Sequence, residues 1–198
     1  MTGQINVNKI GARTGTTINM ESGHKIMMPG SIVQTQFTRY ATATTQSITA
    51  YTDTAIAGIN ANITPVAANS VIRLEACWFG EIITTQELNH QFFFFRDSTK
   101  IPSSSDMASF GDSPGSRTFG IAKAGTSYYA AADDSTTPNY CAWSYFDLPN
   151  TTSQITYKAG FYCQNTNTLY TNRTIVDTDQ AASVERGMCF ISATEIAQ

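Results

Sequence analysis

The sequence predicts an all-β chain: a sandwich, jelly-roll or barrel head on a short, extended, β-rich N-terminal anchor. Three observations predict it. Charged residues make up only 14% of the chain, against roughly 25% in an average soluble domain. Thr, Ser, Asn and Gln take their place, and β-branched Thr favours extended backbone. Several runs alternate apolar and polar residues with a period of two, as half-buried strands do, and none sustains a helical period. Ser/Gly/Asp/Pro-rich turns separate these runs, the spacing of a many-stranded β fold.

At 198 residues the chain suits one ordinary domain with a short appendage, large enough to bury a core without staples. Residues 1–40 read as the anchor or an intertwined shaft. Ile5, Val7 and Ile10 mark a first short strand, Ile18 and Met20 a second, and Ile26 and Met28 a third. Turns at Gly11 to Gly15, Ser22 to His24 and Pro29-Gly30 punctuate them. Strands this short bury little on their own, so they need a partner, either their own copies or another protein. A longer strand runs from Ser31 to Tyr40. Residues 41–65 read as an extended connection or hairpin that ends at Pro65, and residues 66–198 as the head. There Ile72, Leu74, Ala76 and Trp78 alternate with Arg73, Glu75, Cys77 and Phe79. Ile155, Tyr157, Ala159, Phe161 and Cys163 alternate with Thr156, Lys158, Gly160 and Tyr162. Met188, Phe190 and Ser192 alternate with Cys189 and Ile191.

Two aromatic runs point to oligomerisation. In a strand, Phe92 and Phe94 face one side while Phe93 and Phe95 face the other. In the run from Tyr140 to Phe146, Trp143 and Tyr145 oppose Tyr140, Ala142 and Phe146. Burying each ring is worth roughly 2–3 kcal/mol, and a soluble monomer rarely exposes a contiguous apolar patch above a few hundred Å². A strand apolar on both faces needs a second layer. That layer is another subunit, with Phe93, Phe95, Trp143, Tyr145 and Tyr162 as the interface, or another sheet of the same chain.

The sequence holds few groups suited to chemistry. The net charge is −3, and the basic residues are scattered, unlike a nucleic-acid site. No apolar stretch has the length of a membrane span. Met1-Thr2-Gly3-Gln4 lacks the features of a signal peptide, so synthesis in a cytoplasm is the expectation. Cys77, Cys141, Cys163 and Cys189 have no C-x-x-C spacing and read as buried free thiols. His24 and His90 have no partner motif for zinc or for nucleophilic catalysis, and read as surface or packing residues. Asp97, Asp112, Asp133 and Asp134 read as turn acids rather than a glycosidase pair. Asp177 and Asp179 have a calcium-liganding spacing, which Asx turns explain equally well. No phosphate-binding Gly loop is present. The matches to the glycosylation sequon at Asn62, Asn150 and Asn172 are ordinary in a chain rich in Asn and Thr. A non-enzyme without cofactor or metal is the expectation.

The segment Asp147-Leu148-Pro149-Asn150-Thr151-Thr152-Ser153-Gln154-Ile155-Thr156-Tyr157-Lys158 resembles a recurrent "LDxPNTTSxxTYK" hairpin of phage virion proteins, with Phe146 where that pattern has Leu. Ile191-Ser192-Ala193-Thr194-Glu195-Ile196-Ala197 is similar to their "ITAMEIA"-like last strand. Ile5 to Ile10, with Met28 to Gln34, is similar to their N-terminal segments. The resemblance covers both ends and one central segment. It implies a virion structural protein of tail-fibre-like or capsid-decoration type, with a jelly-roll-like β-sandwich head similar to the trimeric C1q and tumour-necrosis-factor heads. It also implies a homotrimer.

The functional expectation is a homotrimeric particle component, made in the host cytoplasm and placed on the virion. It favours a capsid decoration or cement protein, because about 40 residues of dock and one knob leave no length for a long shaft. The first rival is a short tail fibre or fibre-tip knob that binds a host-surface glycan or protein through residues 102–117 and 130–139. The second is a secreted C1q-like binding module, against which the missing signal peptide argues. The expected partners are the chain itself, phage capsid or tail proteins and, for the rival, a host receptor. Nucleic acid and membrane insertion are not expected.

Overall fold

The alternating runs become strands of two facing antiparallel sheets. The computed structural model describes residues 27–82, 89–109, 111, 113–124, 136–179 and 184–198. Among them lie ten strands: β1 (Ile32–Tyr40), β2 (Thr44–Ile48), β3 (Thr54–Ile63), β4 (Val71–Ile82), β5 (His90–Arg96), β6 (Thr99–Ile101), β7 (Asn139–Asp147), β8 (Ile155–Cys163), β9 (Asn167–Thr171) and β10 (Cys189–Ile196). A single helix, α1 (Ser104–Ser109), follows β6. None of these elements is a helix long and apolar enough to cross a membrane.

The first sheet is built on β4. Cys77 pairs with Ala142 of β7 and with Phe190 of β10, and Gly80 pairs with Asn139 of β7 and with Thr171 of β9. So β7 runs along one edge of β4, while β10 and β9 lie end to end along the other. β1 flanks β10 and β2 flanks β9, completing six strands. The second sheet has the order β3-β8-β5-β6. Two antiparallel sheets whose successive strands cross between them make a jelly-roll-like β-sandwich.

The core lies between the sheets. Ile72, Leu74, Ala76 and Trp78 of β4 meet Tyr157, Ala159 and Phe161 of β8 and Phe92 and Phe94 of β5, all nearly or fully excluded from solvent. The Phe92 ring lies 5.3 Å from Trp78, 5.0 Å from Trp143 and 5.1 Å from Phe161, spacings at which offset and edge-on aromatic pairs are favourable. Both indoles find acceptors: Trp78 Nε1 donates to Thr171 Oγ1 at 3.0 Å and Trp143 Nε1 to the Phe93 carbonyl at 3.2 Å. Gly80 sits where β9 approaches most closely. A Cβ there would lie 1.9 Å from the Tyr170 carbonyl oxygen, which is why this strand position takes glycine.

Two expectations need correction, and one element is new. Residues 41–65 are not a connection: they supply β2 to the first sheet and β3 to the second, and β1, placed in the anchor, pairs with β10. The head therefore begins near residue 28, where Gly30 N–H already reaches the Ala197 carbonyl at 2.8 Å. Residues 148–154 are not a hairpin, because β7 and β8 belong to different sheets and the segment crosses between them. The Ser-rich turn after Pro102 contains α1, started by a capping box. Asp106 N–H donates to Ser103 Oγ at 3.1 Å, and Ser103 N–H donates to Asp106 Oδ2 at 2.7 Å.

Candidate functional site

Two surfaces stand out, one apolar and one polar. The apolar surface is the outer face of the first sheet. Cross-strand partners share a face, so the register places Phe37, Ser192, Glu75 and Ser144 in one row, and Arg39, Phe190, Cys77 and Ala142 in the next. Phe79 pairs with Tyr140 beyond them, and Arg73 with Phe146 on the other side. Phe37, Tyr140, Phe146 and Phe190 are exposed, Phe37 by 66% and Tyr140 by 60%. Met188 extends the patch beside Phe190. At the far end Val71, Phe146, Leu148 and Ile196 line an apolar depression of about 450 Å³, next to exposed Ile32. The charged pair on this face, Arg73 and Glu75, is joined within the strand at 3.2 Å.

The residues expected at a subunit interface lie elsewhere. Trp143 is a correction: it points into the core at 5% exposure, because Cys141, Trp143 and Asp147 form the inward set of β7 and Tyr140, Ala142, Ser144 and Phe146 the outward one. Tyr145 is also inward, half-buried at the rim near Arg96 and Asp106. Burial and then the nearby Asp106 and Asp147 carboxylates push its hydroxyl above the ordinary tyrosine range. Phe93 and Phe95 do face outward from the second sheet, yet both are buried by their own chain. Phe93 lies flat on Gly160, where a Cβ would come within 2.4 Å of the ring, and edge-on to Phe95 at 5.2 Å. Lys100 Nζ sits 4.2 Å above Phe93 and 4.3 Å from Phe119, and Asp53 holds it at 2.9 Å. Tyr162, half-buried on the same face, lies 5.7 Å from that ammonium. Phe93 therefore already has a second layer, supplied by Lys100 of β6 and Phe119.

The polar surface is a groove of about 490 Å³ at one end of the sandwich. Asn89, Gln91 and Gln164 bring three carboxamides to it, with Tyr51, Arg117 and Lys123 around them. Backbone bonds set the frame: Tyr51 N–H to the Cys163 carbonyl and Gln164 N–H to the Asn89 carbonyl, both 2.9 Å. Asn89 Nδ2 donates to Gln164 Oε1 at 2.5 Å, and Gln164 Nε2 donates to the Tyr51 hydroxyl at 3.4 Å.

The remaining candidates separate cleanly. Of the anchor residues, Met28 is exposed by 59%, while Ile5, Val7, Ile10, Ile18, Met20 and Ile26 lie outside the described residues. So do His24, Asp112, Asp133 and Asp134. His90 is buried and packs against Phe92 and Phe161, its Nε2 accepting the Ala124 N–H at 3.2 Å. Asp97, in the turn after β5, ties that turn to β8: its Oδ1 accepts the Thr156 N–H and its own N–H donates to the Thr156 carbonyl, both at 2.9 Å. Asp177 sits between Arg186 at 2.6 Å and Arg173 at 3.4 Å, so its charge is already balanced by guanidinium groups. The four cysteines are buried free thiols, and burial pushes the Cys141 and Cys189 thiols up to about 12, out of the reactive range.

The chain matches no family model, no curated protein and no solved structure. The two surfaces therefore carry the functional argument. Phe37 and Phe190 carried a weak signal in the sequence, each being a large apolar residue on the polar side of an alternating strand. The groove carried none, since its residues come from four separate segments.

Proposed function

We propose that this chain is a non-enzymatic structural protein of a bacteriophage particle that works as a homotrimer, placed on the capsid as a decoration or cement protein. The observation that carries the reading is the aromatic outer face of the first sheet. Phe37, Phe190 and Tyr140, with Phe79 and Met188 beside them, form an apolar diagonal across β1, β10, β4 and β7, with Phe146 standing apart from it next to Arg73, the kind of patch that marks an interaction surface. A second copy is the favoured occupant. The face carries few charges, Arg39 and the paired Arg73 and Glu75, as the core of a subunit interface does. The resemblance around Asp147 to Lys158 and at the last strand supports the particle setting and the threefold assembly.

The reading is tested at two levels. Sedimentation of the purified chain at micromolar concentration should give a trimer, and a monomer would sink the assembly claim. Labelled antibody on intact particles should decorate the head in many copies, and loss of the protein should lower resistance to heat or osmotic shock. Label at the tail alone would instead favour a short tail fibre or fibre-tip knob. The polar groove at a loop-bearing end of the sandwich supports that second reading, because loops on a rigid scaffold commonly carry recognition.

A further inference from the structure

We propose that the groove between Tyr51, Asn89, Gln91 and Gln164 is a saccharide-binding site, which rests on the receptor-knob reading for its biological setting. Its size falls within the roughly 300–1,000 Å³ of small-molecule sites. Its chemistry is specific. Each carboxamide offers two N–H donors and a carbonyl acceptor, the set that matches the paired hydroxyls of a sugar ring. The Asn89, Gln164 and Tyr51 side chains are joined in one hydrogen-bonded chain, so their positions are set before a ligand arrives, which lowers the ordering cost of binding.

Tyr51 supplies the second observation. Its side chain is among the most exposed large ones, at 67%, and its backbone is left-handed, with φ at +58°. A bulky residue is strained in that conformation. Glycine would adopt it freely. The exposed ring gives the fold little burial in return. Placed at the mouth of an amide-lined groove, the ring offers a flat apolar face with negative π density, on which the C–H face of a pyranose stacks while its hydroxyls reach the amides. Strain that folding does not repay, at a site where it presents an aromatic ring, is the expected mark of a binding residue.

The test uses the full chain on an array of neutral and acidic oligosaccharides displayed densely, so that weak sites are read through avidity. The wild-type chain should retain a subset of glycans. Tyr51→Phe should keep most of the binding, because the stacking ring remains and only the 3.4 Å link to Gln164 is lost. Tyr51→Gly should fold at least as well as wild type, since glycine suits the left-handed backbone, yet bind roughly tenfold more weakly or worse. Gln91→Ala should weaken the same glycans with an unchanged melting temperature. Retention of no glycan by a wild-type chain that sediments as a trimer would overturn the groove proposal while leaving the particle reading intact. Unchanged binding by folded Tyr51→Gly would overturn it as well.

Discussion

The Tyr157 hydroxyl donates a 2.6 Å hydrogen bond to Asp147 Oδ2, tying β8 of the second sheet to β7 of the first. Arg96 Nη1 from β5 reaches the same carboxylate at 3.0 and 3.2 Å. Asp147 is almost fully buried, so these partners offset the cost of holding it out of water. Burial, then the bond to Asp147, pushes the Tyr157 hydroxyl far above its ordinary range and keeps it a donor at any practical pH. Tyr157→Phe should therefore lower the unfolding free energy by about 1.5–3 kcal/mol, the cost of removing one hydrogen bond to a charged group. Urea denaturation measures it, and an unmoved midpoint at unchanged slope would count against the tie.

Glu195 predicts an acid limb to the stability curve. Its carboxylate is buried and receives Gln34 Nε2 at 2.6 Å, Val66 N–H at 2.7 Å, Ala67 N–H at 3.3 Å and Ser70 Oγ at 2.8 Å. Burial alone raises its pKa, but these donors outweigh burial and hold it below the ordinary 4.5. A pKa depressed by folding contributes stability that is complete above the unfolded value and lost as pH falls through the folded one. Denaturation midpoints should drop below about pH 4.5, by the same linkage, and Glu195→Gln should flatten that limb while lowering stability at neutral pH.

Gly160→Ala should destabilise the head by about 1–3 kcal/mol, as overpacking a filled site does. The added methyl would come within 2.4 Å of the Phe93 ring, which is fully excluded from solvent. Lys100→Met is a gentler change, removing the ammonium that caps Phe93 and the Asp53 ion pair. It should cost about 0.5–2 kcal/mol, the range for a cation over an aromatic face. Thermal melts of both variants check the order.

Phe190→Glu and Tyr140→Glu each place a carboxylate on the exposed face of the first sheet without touching the core. On the trimer proposal they should convert the assembly to monomer in sedimentation while the circular dichroism spectrum stays that of the wild type. A trimer that survives both would move the interface elsewhere.

Much of this fold is written in local alternation. β4 and β8 bury every second residue where the pattern places them, because each packs one face on the core. β3 was not legible, for a physical reason. Its buried residues Ile56 and Ile59 are three apart, since Gly58 at φ +81° interrupts the ladder between Ala55 and Asn60. One inserted residue flips the phase and erases the period. The aromatic runs were legible as two-faced but not as to what covers them. Parity separates Trp143 from Tyr140, yet nothing local says which parity looks inward. The cap over Phe93 comes from Lys100, which is near in sequence, and from Phe119, which is not.

The place of β10 has a consequence for biosynthesis. It is inserted between β1 and β4, hydrogen-bonded to both over nearly its whole length. The first sheet thus lacks an interior strand until residues 189–196 have left the ribosome. A nascent chain halted earlier would present β1 and β4 as two open edges, the template on which strands from other chains pair. Chains cut before β10 should therefore be insoluble rather than partly folded, and the first sheet should close only once β10 is present, at the slow rate that such distant pairing imposes.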